Sequence, residues 1–166
     1  MTQAQYARMT GAMRRTVSHL PGGAKALRIP TLLCAAAYLG ALLFLMFTGD
    51  ARIVRAVLVP AVCFGAVTLL RPAIGRQRPY DRFGLPPVGA YRPGKGKSMP
   101  SRHAASAAAI AFAVIYVFPL PLVAAAMVAL CALIAALRVL CGQHYPGDVL
   151  AALTISAAIS VAGFLL

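Results

Sequence analysis

The chain has no glutamate, and its only acids are Asp50, Asp81 and Asp148. That scarcity excludes whole classes of chemistry. A two-metal phosphatase needs a cluster of carboxylates, and a carboxylate acid–base pair needs two of them close together. No GxxxxGK[ST] run is present, which excludes a P-loop nucleotide site. Tryptophan is absent, and charged residues of both signs make up only 11% of the 166 residues. Cys34, Cys63, Cys131 and Cys141 form no Cys-x-x-Cys pair and read as small buried hydrophobes in or beside apolar runs. The N-terminus lacks a short apolar region followed by a small-residue cleavage site, so no cleaved leader is expected.

What the chain has in plenty is apolar sequence. Hydrophobic residues make up 61% and the mean hydropathy is +0.81, a composition of membrane spans rather than of a soluble domain. Five apolar segments stand out: Ile29–Thr48, Ile53–Leu70 with Pro60 as an expected kink, Ala104–Phe118, Leu120–Leu137 and Val149–Leu166. Eighteen helical residues cover about 27 Å, close to a hydrocarbon core of about 30 Å. Recurrent Ala, Gly, Ser and Thr allow such helices to pack closely. Residues 1–28 differ: they are basic, and Met9, Met13, Val17 and Leu20 follow a helical spacing that ends at Pro21-Gly22-Gly23. The fold class expected is therefore all-α. It is a polytopic bundle of five transmembrane helices (29–166) preceded by an amphipathic interfacial helix (1–28).

The net charge is +13, and all sixteen Lys and Arg lie between apolar runs or at their ends. That placement suits lipid headgroups or an anion site. A nucleic-acid reader needs a soluble basic face, so no nucleic-acid partner is expected. Five spans put the long loop Arg71–Arg102, with eight basic residues and one acid, on the same side as Arg138–Asp148. The polar groups converge there.

Three stretches on that side carry chemistry. In RPAIGRQRPY, Arg71 and Arg78 stand two helical turns apart and would share a face if the stretch were helical, although Pro72 and Pro79 argue against a regular helix. Paired guanidiniums clamp an oxyanion well. In PSRH, Pro100 suits a first helical turn, and Ser101 with the free amides after it would favour an anion at a helix N-terminus, with His103 near enough to pass a proton. In LRVLCGQHYPGDV, Arg138 precedes His144 by six residues and Asp148 follows it by four. Pro146-Gly147 marks a helix start that still keeps His144 and Asp148 close. A carboxylate on one imidazole nitrogen fixes the tautomer and makes the other nitrogen the better nucleophile. Singly, each stretch has a plainer reading: arginines at helix ends snorkel to headgroups, and an interfacial histidine is often structural. Their convergence on one face favours a site. His19 falls outside it, on the surface helix.

These stretches resemble the three-part signature of the type-2 phosphatidic acid phosphatases, also called lipid phosphate phosphatases. Arg71, six residues, Arg78-Pro79 stands for the usual Lys, six residues, Arg-Pro; Pro100-Ser101-Arg102-His103 for Pro-Ser-Gly-His; and Leu137-Arg138, five residues, His144, three residues, Asp148 for the third motif, which usually opens Ser-Arg. The resemblance spans residues 71–148. It implies that His144 attacks phosphorus to form a phosphohistidine, that Asp148 orients His144, and that His103 protonates the leaving oxygen. It further implies that Arg71, Arg78, Ser101, Arg138 and the amide of Arg102 hold the phosphoryl oxygens, with no metal and no cofactor. Arg71, Arg102 and Leu137 depart from the usual Lys, Gly and Ser, and the family's common form has one more spanning helix.

The expected function is hydrolysis of a lipid phosphate or diphosphate drawn from the bilayer, of the undecaprenyl diphosphate, phosphatidylglycerol phosphate or phosphatidic acid type. The alternatives are a non-catalytic protein binding anionic lipid, and a lipid phosphotransferase. A transport subunit fits less well, because no polar residue sits mid-span. The expected location is a bacterial plasma membrane. The resemblance implies an extracytoplasmic site, whereas fourteen of the sixteen Lys and Arg on the catalytic face point to a cytoplasmic one.

Overall fold

The computed structural model describes residues 1–91 and 97–165. Arg92 and Lys95 of the basic loop, and Leu166 at the end of the fifth segment, lie outside the described residues. Among those described the chain is helical throughout: α1 (Gln3–Ser18), a 3-10 turn (Gly23–Arg28), α2 (Ile29–Thr48), α3 (Arg52–Ile74), α4 (Pro79–Phe83), α5 (Arg102–Val117), α6 (Pro121–Leu140) and α7 (Pro146–Leu165).

The five apolar segments become α2, α3, α5, α6 and α7. The spans containing α2 and α3, together with α6 and α7, are each long and apolar enough to cross a membrane. At 16 residues α5 is shorter, and it occupies the centre, packed on α2, α3, α6 and α7. Its composition explains that position. Ala104, Ala105, Ala107, Ala108, Ala109, Ala111 and Ala113 are all buried, so four neighbours can approach its backbone. Large side chains point the other way, with Phe47 and Leu122 each 82% exposed on the outer surface. Small residues inside and large apolar ones outside is the arrangement expected of a bundle whose surrounding solvent is hydrocarbon.

Polar ties hold the helices in register. Ser156 Oγ donates to the Ala105 carbonyl at 3.1 Å, and Tyr38 Oη to the Ala56 carbonyl at 2.9 Å. On the face opposite the basic loops, Asp50 pairs with Arg52 at 2.7 Å, and Arg52 reaches the Val117 carbonyl at the end of α5. Helix α3 runs on through both Pro60 and Pro72. It stops at Gly75, whose φ of 62° lets its N–H close back on the Arg71 carbonyl. Arg71 and Arg78 therefore do not share a helix face. Arg71 lies in the last turn of α3, and Arg78 caps α4 beyond the break.

The surface helix keeps Met13 and Val17 of the expected face packed against the protein, but that face is turned so that Tyr6 and Thr10 are buried and Leu20 is exposed. The face is turned toward protein rather than lipid. Tyr6 Oη lies 3.2 Å from both the Leu85 and Gly142 carbonyl oxygens and can donate to either, so α1 seats on the two loops that lead into the basic face. Arg14 adds a bond of 2.7 Å to the Pro86 carbonyl. The seat is tight at Gly142, where φ is 71° and a Cβ would stand 2.5 Å from Tyr6 Oη and 2.7 Å from Thr10 Cγ2. Gly142→Ala is expected to destabilise the protein by about 1–3 kcal/mol through backbone strain, with the contact to α1 adding to it. A thermal melt against wild type checks this, and an unchanged midpoint would contradict the packing.

Candidate active site

Both basic loops fold inward over the ends of α2, α5 and α7, and their side chains meet in one cleft of about 510 Å³. Arg71, Arg78, Arg102, Arg138, His103 and His144 line it. Six of the eight residues singled out in the sequence are thus brought together on one wall-to-wall surface. The other two stand behind it. Asp148 is fully buried beneath His144, and Ser101 is fully buried at the N-cap of α5. Pro100 precedes that cap instead of opening the helix.

Three of the cleft's cations are held by their neighbours. Arg71 is 4% exposed. It donates through Nη1 to the Pro100 carbonyl at 3.0 Å and through Nη2 to the Lys97 carbonyl, which ties the end of α3 to the segment entering α5. Arg138 donates to Gln143 Oε1 at 2.8 Å and to Thr31 Oγ1 at 3.4 Å. Its own carbonyl accepts the N–H groups of Gln143 and His144, both at 3.1 Å, so the last turn of α6 shapes the loop carrying His144. Arg78 lies over the Tyr80 ring at 5.6 Å.

His144 and Asp148 form the centre. Helix α7 begins at Pro146, so His144 sits just outside it, with Nδ1 3.6 Å from Asp148 Oδ2. That separation is longer than a hydrogen bond, and His144 Nδ1 has no closer polar partner among the described residues. The Asp148 carboxylate is held from three sides. Tyr145 N–H and Ser98 Oγ donate to Oδ2, and Arg76 Nη1 meets Oδ1 at 2.8 Å. Arg76 in turn stacks over the Tyr145 ring at 4.4 Å. Burial pushes the His144 imidazole below its ordinary value; Asp148 opposes the shift, and Arg78 and Arg71 reinforce it. The ring is therefore neutral at pH 7, with Nδ1 turned toward a carboxylate.

Ser101 Oγ and Arg138 Nε are also buried without a hydrogen-bond partner among the described residues. Buried polar atoms are ordinarily paired. Unpaired donors on Ser101 and Arg138, with Arg28, Arg71, Arg78 and Arg102 lining the same cleft, give it a chemistry that suits an oxyanion. Among the described residues no carboxylate lines the cleft.

Sequence reasoning missed Arg76 and Ser98, the two side chains that hold Asp148. Arg76 lies inside the stretch between Arg71 and Arg78, and Ser98 three residues before Ser101. Only their position at the edges of the motifs hinted at a role. It also missed α2, which brings Arg28 and Thr31 to the opposite wall.

Apolar spans around a buried histidine–aspartate pair and an arginine-lined cleft describe a multi-pass membrane protein with a cationic cleft. The model of the PAP2 superfamily matches residues 52–166, and the chain belongs to that superfamily. Its fold is similar to the crystal structure of the first transmembrane PAP2 type phosphatidylglycerolphosphate phosphatase, from Bacillus subtilis. The TM-score is 0.70 at 19% identity, covering 97% of this chain and 83% of that one. At that identity the likeness is one of fold. No curated protein matches the sequence. Family and fold together make this a multi-pass membrane protein of the lipid phosphatase type.

Proposed function

We propose that the protein hydrolyses a lipid phosphate or diphosphate through a phosphohistidine at His144. The observation that carries this is the pairing of a buried, neutral His144 with Asp148 at the floor of a cleft lined by arginines. With Nδ1 toward Asp148, the lone pair of Nε2 is free to attack phosphorus. The bond from phosphorus to the leaving oxygen breaks as the N–P bond forms, and that oxygen takes its proton through His103. Burial, reinforced by Arg138, pushes the His103 imidazole down to about 4, so the proton arrives on the monoanionic phosphate of the substrate and is passed on by His103. Water then attacks the phosphohistidine and gives a proton back to His103. The P–N bond breaks and inorganic phosphate leaves. Charge on the phosphoryl oxygens is met by Arg71, Arg78, Arg138, Ser101 and the Arg102 amide, held in place before the reaction begins. Arginines fill the part that metal ions play in carboxylate-rich phosphatases, so the reaction is proposed to be metal-independent.

A second cavity supports a lipid substrate. An apolar pocket of about 340 Å³ lies next to the cleft, lined among others by Cys34, Phe64, Ala107, Ile110 and Ile134 from α2, α3, α5 and α6. A hydrocarbon chain fits that lining, with its headgroup in the cleft.

The test is phosphate release from a panel of lipid phosphates by the detergent-purified protein. Release is expected to survive excess EDTA, and its loss there would overturn the metal-free reading. The pH profile gives a further check. The nucleophile is the neutral imidazole, whose pKa is lowered from its ordinary 6.5. As pH falls, activity should therefore persist below 6.5 and decline only as His144 takes up its proton. An acid limb above 6.5 would point to a different group.

A further inference from the structure

Arg138 is held in a way that leaves its charge available. Its guanidinium donates through Nη1 to Gln143 Oε1 at 2.8 Å and through Nη2 to Thr31 Oγ1 at 3.4 Å. The two acceptors come from different parts of the fold, Gln143 from the loop after α6 and Thr31 from the first turn of α2, and both line the cleft. An arginine only donates, so the oxygen of the Gln143 amide faces it and the NH₂ turns the other way. That NH₂ donates to the Val88 carbonyl at 3.5 Å, and the Val88 N–H donates to the Cys141 carbonyl at 2.9 Å. The main chain closes the same ring, since the Arg138 carbonyl accepts the Gln143 N–H. Gln143 is thus tied to Arg138 through both side chain and backbone.

Both acceptors are neutral. Arg52 and Arg76 pair with carboxylates, Asp50 and Asp148, and neither lines the cleft. Arg71 lines the cleft and is held by backbone carbonyls. A carboxylate would hold Arg138 as firmly as an amide does, but it would offset the charge that a phosphoryl group needs. One N–H on each terminal nitrogen of Arg138 is taken, while Nε is buried with no partner among the described residues. An Nε–H and the terminal N–H beside it form the planar pair that grips two oxygens of one anion.

We propose that Gln143 and Thr31 are positioning residues for the reaction: they fix the Arg138 guanidinium so that its unpaired Nε edge meets the transferring phosphoryl group. The proposal rests on the hydrolase reading for the identity of that anion. Neither residue is a fixed position of the three motifs. Gln143 directly precedes His144, so one loop sets both the nucleophile and the cation that receives the phosphoryl oxygens.

The experiment compares Gln143→Met, Gln143→Glu, Thr31→Val and Thr31→Ser with wild type on the lipid phosphate that wild type hydrolyses fastest. Gln143→Met is expected to lower kcat about tenfold with little change in KM, because the clamp acts on the transferring group. Thr31→Val is expected to lower it about threefold, and Thr31→Ser to restore it. Gln143→Glu keeps the acceptor but offsets the charge, so kcat should fall about tenfold while the melting midpoint does not fall. In an Arg138→Ala background Gln143→Met should add nothing, since its effect passes through Arg138. A Gln143→Glu or Thr31→Val rate equal to wild type, a loss borne by KM alone, or losses that multiply in the double variant would each overturn the proposal. The same cycle is read by calorimetric titration with orthovanadate, an oxyanion that adopts the five-coordinate geometry of phosphoryl transfer. Binding weakened by Gln143→Met, and not weakened further in the Arg138→Ala background, supports the clamp; no such coupling, or no binding by wild type, refutes it. If wild type hydrolyses no lipid phosphate while the vanadate coupling holds, the hydrolase reading fails and the Arg138 clamp stands.

Discussion

His144→Ala is expected to lower phosphate release by about 10⁴-fold or more, because the group that forms the covalent bond is gone. The fold should survive the change. Among the described residues His144 Nδ1 has no polar contact closer than its 3.6 Å approach to Asp148, so the mutation breaks no short bond at that atom. A melting midpoint close to wild type would confirm that the loss is chemical. Labelled substrate supplies the complementary reading. Wild type quenched at alkaline pH should retain a phosphoryl label that acid removes, since a phosphorus–nitrogen bond is stable to base and labile to acid. The His144→Ala protein should retain none. Turnover in that variant within tenfold of wild type would eliminate His144 as nucleophile.

Asp148→Asn should cost about 10²- to 10⁴-fold, the range expected when a carboxylate that orients a reacting imidazole becomes an amide. The amide can present its NH₂ to Nδ1 and favour the wrong tautomer. It also leaves Arg76 facing a neutral group, where the Arg76–Asp148 pair at 2.8 Å had been. The pH profile separates this from a structural effect. The Asp148 carboxylate raises the His144 pKa against the stronger effect of burial. Without it the imidazole stays neutral to still lower pH, so the residual activity should show an acid limb moved downward. A limb moved upward, or no loss of rate, would mean that Asp148 does not act through His144. Arg76→Lys should recover part of what Arg76→Gln loses, since a cation on Asp148 Oδ1 is restored.

Much of this architecture was legible from residue pattern alone. The charge-free run Ile29–Thr48 matches α2 from end to end, because nothing inside it competes with a span. Helices α5 and α7 begin close to where Ser101 and Pro146 said they should. The register of α1 was legible only in part, at Met13 and Val17. Met9 and Leu20 are as apolar as Met13 and Val17, and a hydropathy pattern cannot register a tyrosine hydroxyl aimed at two carbonyls. The course of Arg71 to Arg78 was obscured for a similar reason. Pro72 is the conspicuous helix breaker, yet α3 passes through it and ends at Gly75, where a left-handed residue closes the last turn. In the site, motif spacing found six of the residues that line the cleft and, behind them, Asp148 and Ser101. It did not find Ser98 and Arg76, whose partner Asp148 is 50 and 72 residues away, nor Arg28 and Thr31, which stand outside the motifs.

The bond between Tyr6 and Gly142 has a consequence for how the chain is made. Its partners are 136 positions apart. The ribosome delivers α1 first, but its seat is complete only when the sixth helix has been threaded and the turn after it has emerged. Until then Tyr6 and Val17 can meet only the earlier half of that seat, Phe83, Leu85 and Val88, and lack Gly142 and Cys141. Docking of α1 is then a late event that reports completion. It can tie the two loops together only when the last histidine of the sequence is about to follow. Non-local contacts of this kind form slowly, so the step that completes the site is also among the last steps of assembly.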